Sequence, residues 1–207
     1  MFNLRVNAVP DPVSDQVTDS RPTLFSCRLS VCGLGELALY RDQGVSHVLS
    51  LLDPDWPDPT VFAEYPPHER TLLRFHDVTH LASGYRAPEQ EDVAAVLEFG
   101  RALAAAPERV GHLLVHCHMG ISRSTAALSI LLAQSAPGQE CEALARVQEI
   151  RPRGWPNSRM IRFADELLNC DGALIAALKA HQRAVIAEHP DLAPMIAGVG
   201  RADELPD

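Results

Sequence analysis

Leu113-Leu114-Val115-His116-Cys117-His118-Met119-Gly120-Ile121-Ser122-Arg123-Ser124 is the stretch that decides how this chain is read. Its beginning, His112 to His116, is a short apolar run suited to a buried strand. Beyond it, Ser124 to Gln134 is apolar nearly all round, as in a helix packed centrally in a core. Strand and helix are joined by the step from Cys117 to Arg123. A loop that runs from a strand end into a helix N-terminus turns its backbone N–H groups inward. It also adds the positive end of the helix dipole, which suits a tetrahedral oxyanion. Gly120 permits the backbone conformation such a loop needs. Arg123 can fork onto two oxygens at once, which lysine cannot. The same field favours the thiolate form of a cysteine, and Ser124 stands where it can hydrogen-bond that sulfur. None of the other four cysteines, at 27, 32, 141 and 170, has an arginine at the same offset.

Working outward, Leu24 to Leu34 reads as a strand, with Gly33 and Gly35 leading into a short helix through about Asp42. Val45 to Leu52 is a β-branched and aliphatic run, the pattern of a buried strand. Asp53 to Pro67 holds five prolines and reads as an exposed loop, and Thr71 to Phe75 is the next strand. From Pro88 a helix is signalled by proline and acidic residues in its first turn, then by Val93, Val96, Leu97, Gly100 and Leu103 at helical spacing. Further helical patterns cover 139–150, 158–169 and 171–188. Strands alternating with helices imply an α/β fold, a central and mostly parallel sheet of four to five strands covered by helices. The expected organisation is an irregular N-terminal segment (1–22), one folded domain (23–189) and a loose C-terminal tail (190–207) carrying Pro190, Pro194 and Pro206.

The bulk numbers narrow the partners. The 207 residues carry 18 Lys plus Arg against 27 Asp plus Glu, a formal charge of −9. A field of that sign repels nucleic acid and anionic lipid, so neither is an expected partner. A bound anion has to be held locally, against the global field. There is no basic stretch followed by an apolar run at the start, and no apolar stretch of spanning length. Five cysteines without framework spacing fit a reducing cytoplasm.

His116 to Ser124 resembles the signature loop of the protein tyrosine phosphatase superfamily, on the dual-specificity side, which favours His-Cys-x-x-Gly-x-Ser-Arg-Ser. The resemblance extends from about Leu24 to Leu168. Val45-Ser46-His47-Val48-Leu49 is similar to the strand that family places before its acid loop. Pro156-Asn157, ahead of Phe163 and Leu167, is similar to a family stretch whose Asn buttresses the phosphate loop. The resemblance implies a phosphotyrosine-phosphatase-like fold and a two-step, metal-free and cofactor-free hydrolysis of phosphate monoesters through a phosphocysteine. In it Cys117 is the nucleophile, Arg123 binds phosphate and Ser124 assists. His118, Met119, Gly120, Ile121, Ser122 and Arg123 wrap the anion, with His116 and Asn157 supporting the loop. The implied substrate is a phosphorylated protein, on tyrosine and in some members on serine or threonine, or a small phosphate. Two rival readings are a phosphatase of small-molecule or lipid phosphates, and a phosphate-binding module without turnover. Against the first, His118, Met119 and Ile121 bring no fixed positive charge to the loop. Intact Cys117 and Arg123 speak against the second.

The leaving oxygen needs a proton, and two aspartates compete to supply it. Asp58 lies in Trp56-Pro57-Asp58, the tripeptide of the acid loop in classical tyrosine phosphatases. Asp77 lies in Phe75-His76-Asp77, just past a strand and one helix before the cysteine strand. It precedes Cys117 by 40 positions, against 59 for Asp58. That order favours Asp77. His76, His80, His112, His116 and His118 fit no zinc framework, so no metal is expected.

Overall fold

The computed structural model describes residues 26–206. Among the described residues four strands form one sheet: β1 (Arg28–Cys32), β2 (His47–Leu52), β3 (Glu69–Arg74) and β4 (His112–His116). Their spatial order is β1-β4-β2-β3, and every pair is parallel. The cysteine strand β4 is therefore internal, between β1 and β2. The same residues hold six α-helices: α1 (Gln90–Ala105), α2 (Arg123–Ser135), α3 (Glu140–Ile150), α4 (Ser158–Leu168), α5 (Ala173–Glu188) and α6 (Leu192–Gly198). Leu34–Tyr40, expected as a short helix, is a 3₁₀ helix. The start of the Leu24 strand and the segment 1–22 lie outside the described residues.

Strand alternation explains why β4 is apolar between its two terminal histidines. Leu113 and Val115 join the main core, together with Leu29 and Val31 of β1 and Leu49 and Leu51 of β2. Leu114 points the other way, into a smaller cluster with Leu37, Val45, Val48, Phe62 and Tyr65. Both faces of the sheet are covered, so these strands are mostly apolar, and buried polar residues such as Ser30, Ser50, His112 and His116 pair with one another. β1 and β3 are the two edge strands; β1 is buried beyond Arg28, whereas β3 is half-exposed along its length.

Helix α2 is buried from Arg123 to Ala133. It lies against α1, α3 and α4 as well as the sheet, so its position is determined from every side. Leu128, Ile130, Leu131 and Leu132 are each fully buried, worth roughly 1.5–3 kcal/mol apiece. The frame that carries the cysteine loop is thus anchored from several sides.

The loose tail expected from residue 190 is not what forms. Residues 192–198 make α6, and Ala202–Glu204 a short 3₁₀ turn. Leu192 and Ile196 of α6 pack on Trp155 and Val185. Pro194 sits in the first turn of α6, where backbone N–H groups have no intrahelical acceptor and a proline costs little.

Candidate active site

β4 ends at His116, the chain loops through residues 117–122, and α2 begins at Arg123. Cys117 lies at the bottom of this loop, 1% exposed. Its Sγ is 3.2 Å from Oγ of Ser124, itself fully buried. Gly120 takes φ +68°, a conformation that favours glycine. A Cβ there would lie 2.5 Å from the Cys32 carbonyl carbon, and one on Gly33 would lie 2.9 Å from the His118 oxygen. Two glycines facing each other let the loop rest directly on the end of β1, where Leu34 N donates to His118 O at 2.9 Å.

Arg123 is 2% exposed. Its NH1 donates to Oδ1 of Asp53 at 2.7 Å and to the Phe75 carbonyl at 2.5 Å. Its Nε is buried with no partner among the described residues. One edge of the guanidinium is thus tied to the protein, while the donor on its other side is unsatisfied. A buried, unsatisfied N–H costs about 1–3 kcal/mol, a penalty that an oxyanion accepting from it removes.

The loop is also held from behind. Arg151 donates to the carbonyls of Gly120 and Met119, both at 3.1 Å, and forks onto the Glu36 carboxylate at 2.9 Å per contact. The hydrogen bond from Arg151 holds the Glu36 carboxyl below its usual range. Neither residue was singled out from the sequence, since each looks like an ordinary surface charge.

The histidines beside Cys117 play different parts. His118 accepts from Asp53 N at 3.3 Å through Nε2, and its ring packs on Trp56 at 4.5 Å. Burial, then the neighbouring Arg123, pushes His118 below the ordinary histidine range, which keeps the ring neutral at pH 7. His116 is fully buried, with Nε2 2.6 Å from Oγ of Ser50, which in turn accepts from Arg70 Nε at 2.8 Å. Because Arg70 can only donate, the Ser50 hydroxyl proton is left for His116.

Burial, with a smaller push from Arg70, lowers the His116 pKa from 6.5 to about 3. The folded ring therefore stays neutral while the unfolded chain takes up a proton below pH 6.5. The stability this ring contributes is fully present above pH 6.5 and declines as the pH falls toward about 3. The expected decline is on the order of 1.4 kcal/mol per pH unit. Denaturant unfolding of wild type and His116→Gln between pH 7 and 5 checks this, and the variant should lose less stability on acidification. Parallel curves would remove His116 from the account, since His112 and His181, also lowered by burial, are common to both proteins.

The two candidate acids occupy different places. Asp58 is paired with Arg74 NH2 at 2.5 Å, and Arg70 stands 3.9 Å away. Arg74 NH1 also collects the carbonyls of Asp53, Pro54 and Trp56. The Trp56-Pro57-Asp58 segment is thus pinned to β3, with Trp56 forming a wall beside His118. Asp77 instead lies against the loop itself. Its Oδ1 accepts from Ser122 Oγ at 2.6 Å and from Asn157 Nδ2 at 2.8 Å. Asn157 is also the N-cap of α4, its Oδ1 accepting from Arg159 N and Met160 N. The structure brings Cys117, Arg123, Ser124, Ser122, Asp77 and Asn157 together, and it adds Asp53. Asp58 is set apart. Met119 is 67% exposed and faces outward. Among the described residues, no group of three His, Cys, Asp or Glu side chains could hold a metal ion.

No protein-family model matches the chain. Among curated proteins, the human protein phosphatase Slingshot homolog 3 is 39% identical over 87 residues, which is 41% of this chain and 12% of that protein. Its counterpart in Rattus norvegicus is 37% identical over 90 residues, with 41% and 13% covered. The chain thus matches only a small part of these much longer relatives. Among solved structures, human DUSP28 superposes with a TM-score of 0.52 at 20% identity, covering 68% of this chain and 90% of that one. DUSP15 gives 0.51 at 16% identity, covering 75% and 89%. These likenesses in structure speak to the fold, and the Slingshot match speaks to the sequence. The chain thus shares the fold of these solved structures, and over 87 residues its sequence is similar to a Slingshot protein phosphatase.

Proposed function

We propose that this chain hydrolyses phosphate monoesters on protein side chains, phosphotyrosine foremost, with phosphoserine and phosphothreonine as further substrates. The observation that carries the reading is the buried Nε of Arg123, without a partner among the described residues, in the same loop as a buried cysteine that Ser124 contacts. In the first step Cys117 Sγ attacks phosphorus and the P–O bond to the substrate breaks, while Asp77 gives its proton to the departing oxygen. In the second step a water attacks phosphorus and surrenders a proton to Asp77. The S–P bond then breaks, and Ser124 supports the sulfur as it leaves. Loop N–H groups, the α2 dipole and Arg123 stabilise the equatorial oxygens throughout. The five free cysteines accord with work in a reducing compartment such as the cytoplasm.

The loop offers a single arginine to the substrate, because Arg151 is turned to the backbone and to Glu36. That favours a singly phosphorylated side chain over a polyphosphorylated headgroup. The test is turnover of 4-nitrophenyl phosphate and of a phosphotyrosine peptide, with and without chelator. Hydrolysis of both, unaffected by chelator and stopped by vanadate, is the expected result. Turnover abolished by chelator, or none at all, would overturn the reading.

A further inference from the structure

The C-terminal segment reaches the candidate acid. Arg201 lies beyond α6 and is 6% exposed. Its NH1 donates to Ser122 Oγ at 2.8 Å, its NH2 to the Pro156 carbonyl at 3.2 Å and its Nε to Glu204 at 2.9 Å. Glu204 is tied in turn to Trp155 Nε1 at 2.7 Å and to Ser158. The segment is thus clasped to the chain on either side of Asn157. A second, exposed contact joins His80 of the acid loop to Asp203 at 3.6 Å.

Donor and acceptor chemistry settles the direction of each bond. A guanidinium only donates, so Ser122 Oγ accepts from Arg201 and its single proton is left for Asp77. The Asn157 oxygen is taken by two backbone N–H groups, so its NH₂ faces Asp77. Asp77 Oδ1 therefore receives two donors, and Oδ2 is the oxygen left to carry a proton. Both donors can be accepted by a carboxylate and by the carbonyl oxygen of a carboxylic acid. The carboxyl can gain and lose its proton without turning.

The geometry points to Arg201 as a positioning residue for Asp77, acting through Ser122, so that the C-terminal segment is part of the catalytic apparatus. This rests on the proposed phosphatase reading, in which Asp77 is the acid. The test uses the full chain as wild type, Arg201→Gln, Ser122→Ala and the double variant. Turnover is compared on phosphotyrosine, which needs a proton on its leaving oxygen, and on 2,4-dinitrophenyl phosphate, which does not.

Arg201→Gln should lose about tenfold or more in kcat on phosphotyrosine, within the ~10²–10⁴-fold that a general acid supplies. On dinitrophenyl phosphate it should change by less than about twofold. Ser122→Ala should also lose rate on phosphotyrosine, adding Arg201→Gln to it should lose little more, and Arg201→Lys should recover a large part of the Arg201→Gln loss. Equal loss on both substrates, no loss on either, or additive losses would overturn the inference. Hydrogen exchange gives a readout independent of turnover. Amides of 76–80 should exchange faster in Arg201→Gln than in wild type, and unchanged exchange counts against the clasp. A wild type that hydrolyses neither substrate defeats the proposed function, while the exchange comparison still judges the clasp.

Discussion

Cys117→Ser is expected to abolish turnover of aryl phosphates while leaving phosphate binding intact. The substitution changes one buried atom, since Cys117 is 1% exposed and hydrogen-bonded only through sulfur. Everything that grips the anion is elsewhere: the N–H groups of residues 118–123, the α2 dipole and the guanidinium of Arg123. A serine hydroxyl is protonated at neutral pH and has no neighbouring base placed to activate it, because His116 is committed to Ser50. Removing a nucleophile from a site of this kind costs on the order of 10⁴-fold or more. The measurement pairs 4-nitrophenyl phosphate turnover with calorimetric binding of inorganic phosphate or vanadate. Lost turnover with retained binding is the expected pair of results. Retained turnover would mean that sulfur is not the attacking atom. Loss of both would assign Cys117 a role in holding the loop.

The second large effect separates Asp77 from Asp58. Asp77→Asn should lose ~10²–10⁴-fold on phosphotyrosine, on the order of 3–5 kcal/mol at the transition state, and far less on an activated aryl phosphate. The asparagine can still accept from Ser122 and Asn157, so the fold around it is kept and the lost proton is what the kinetics read. The alkaline limb of its pH–rate profile should flatten as well. Asp58→Asn removes an exposed ion pair with Arg74, and ion pairs of this sort contribute ~0–1 kcal/mol. Its rates should stay within about twofold of wild type. The reverse pattern would make the Trp56-Pro57-Asp58 segment the acid loop, in spite of the three carbonyls by which Arg74 pins it.

The choice between those aspartates shows how far residue order carries. Asp77 was favoured because one helix separates it from the cysteine strand, and the structure sets it against Ser122 of the loop. Its actual contacts could not be read, since Ser122 and Asn157 lie 45 and 80 positions away. The tail illustrates the opposite failure. Pro190 and Pro194 read as breakers, but Pro194 falls in a first turn that tolerates it. The two buried anchors of α6, Leu192 and Ile196, are too few to show a helical period. Strand positions are legible within a few residues, because burial on both faces writes a largely apolar run into β2 and β4.

What the sequence determined by itself was therefore the local unit of strand, cysteine loop and buried helix, along with the alternation that makes the domain α/β. Those features reside in contiguous residues, where periodicity, glycine and the Cys-to-Arg spacing act over a few positions. Only the tertiary structure decided the partners of the charged groups: Asp53 on Arg123, Glu36 on Arg151 and Arg201 on Ser122, separated by 70, 115 and 79 positions. A charged side chain follows no hydrophobic period, so in the sequence it looks the same whether it ends in solvent or beside a buried partner. The order β1-β4-β2-β3 brings the ends of the first three of these parallel strands to one edge, and the helix packing carries Arg151 and Arg201 there. Desolvation then makes a partner obligatory for the buried Arg123 and Arg201, because a buried charge without one costs more than the local fold can supply.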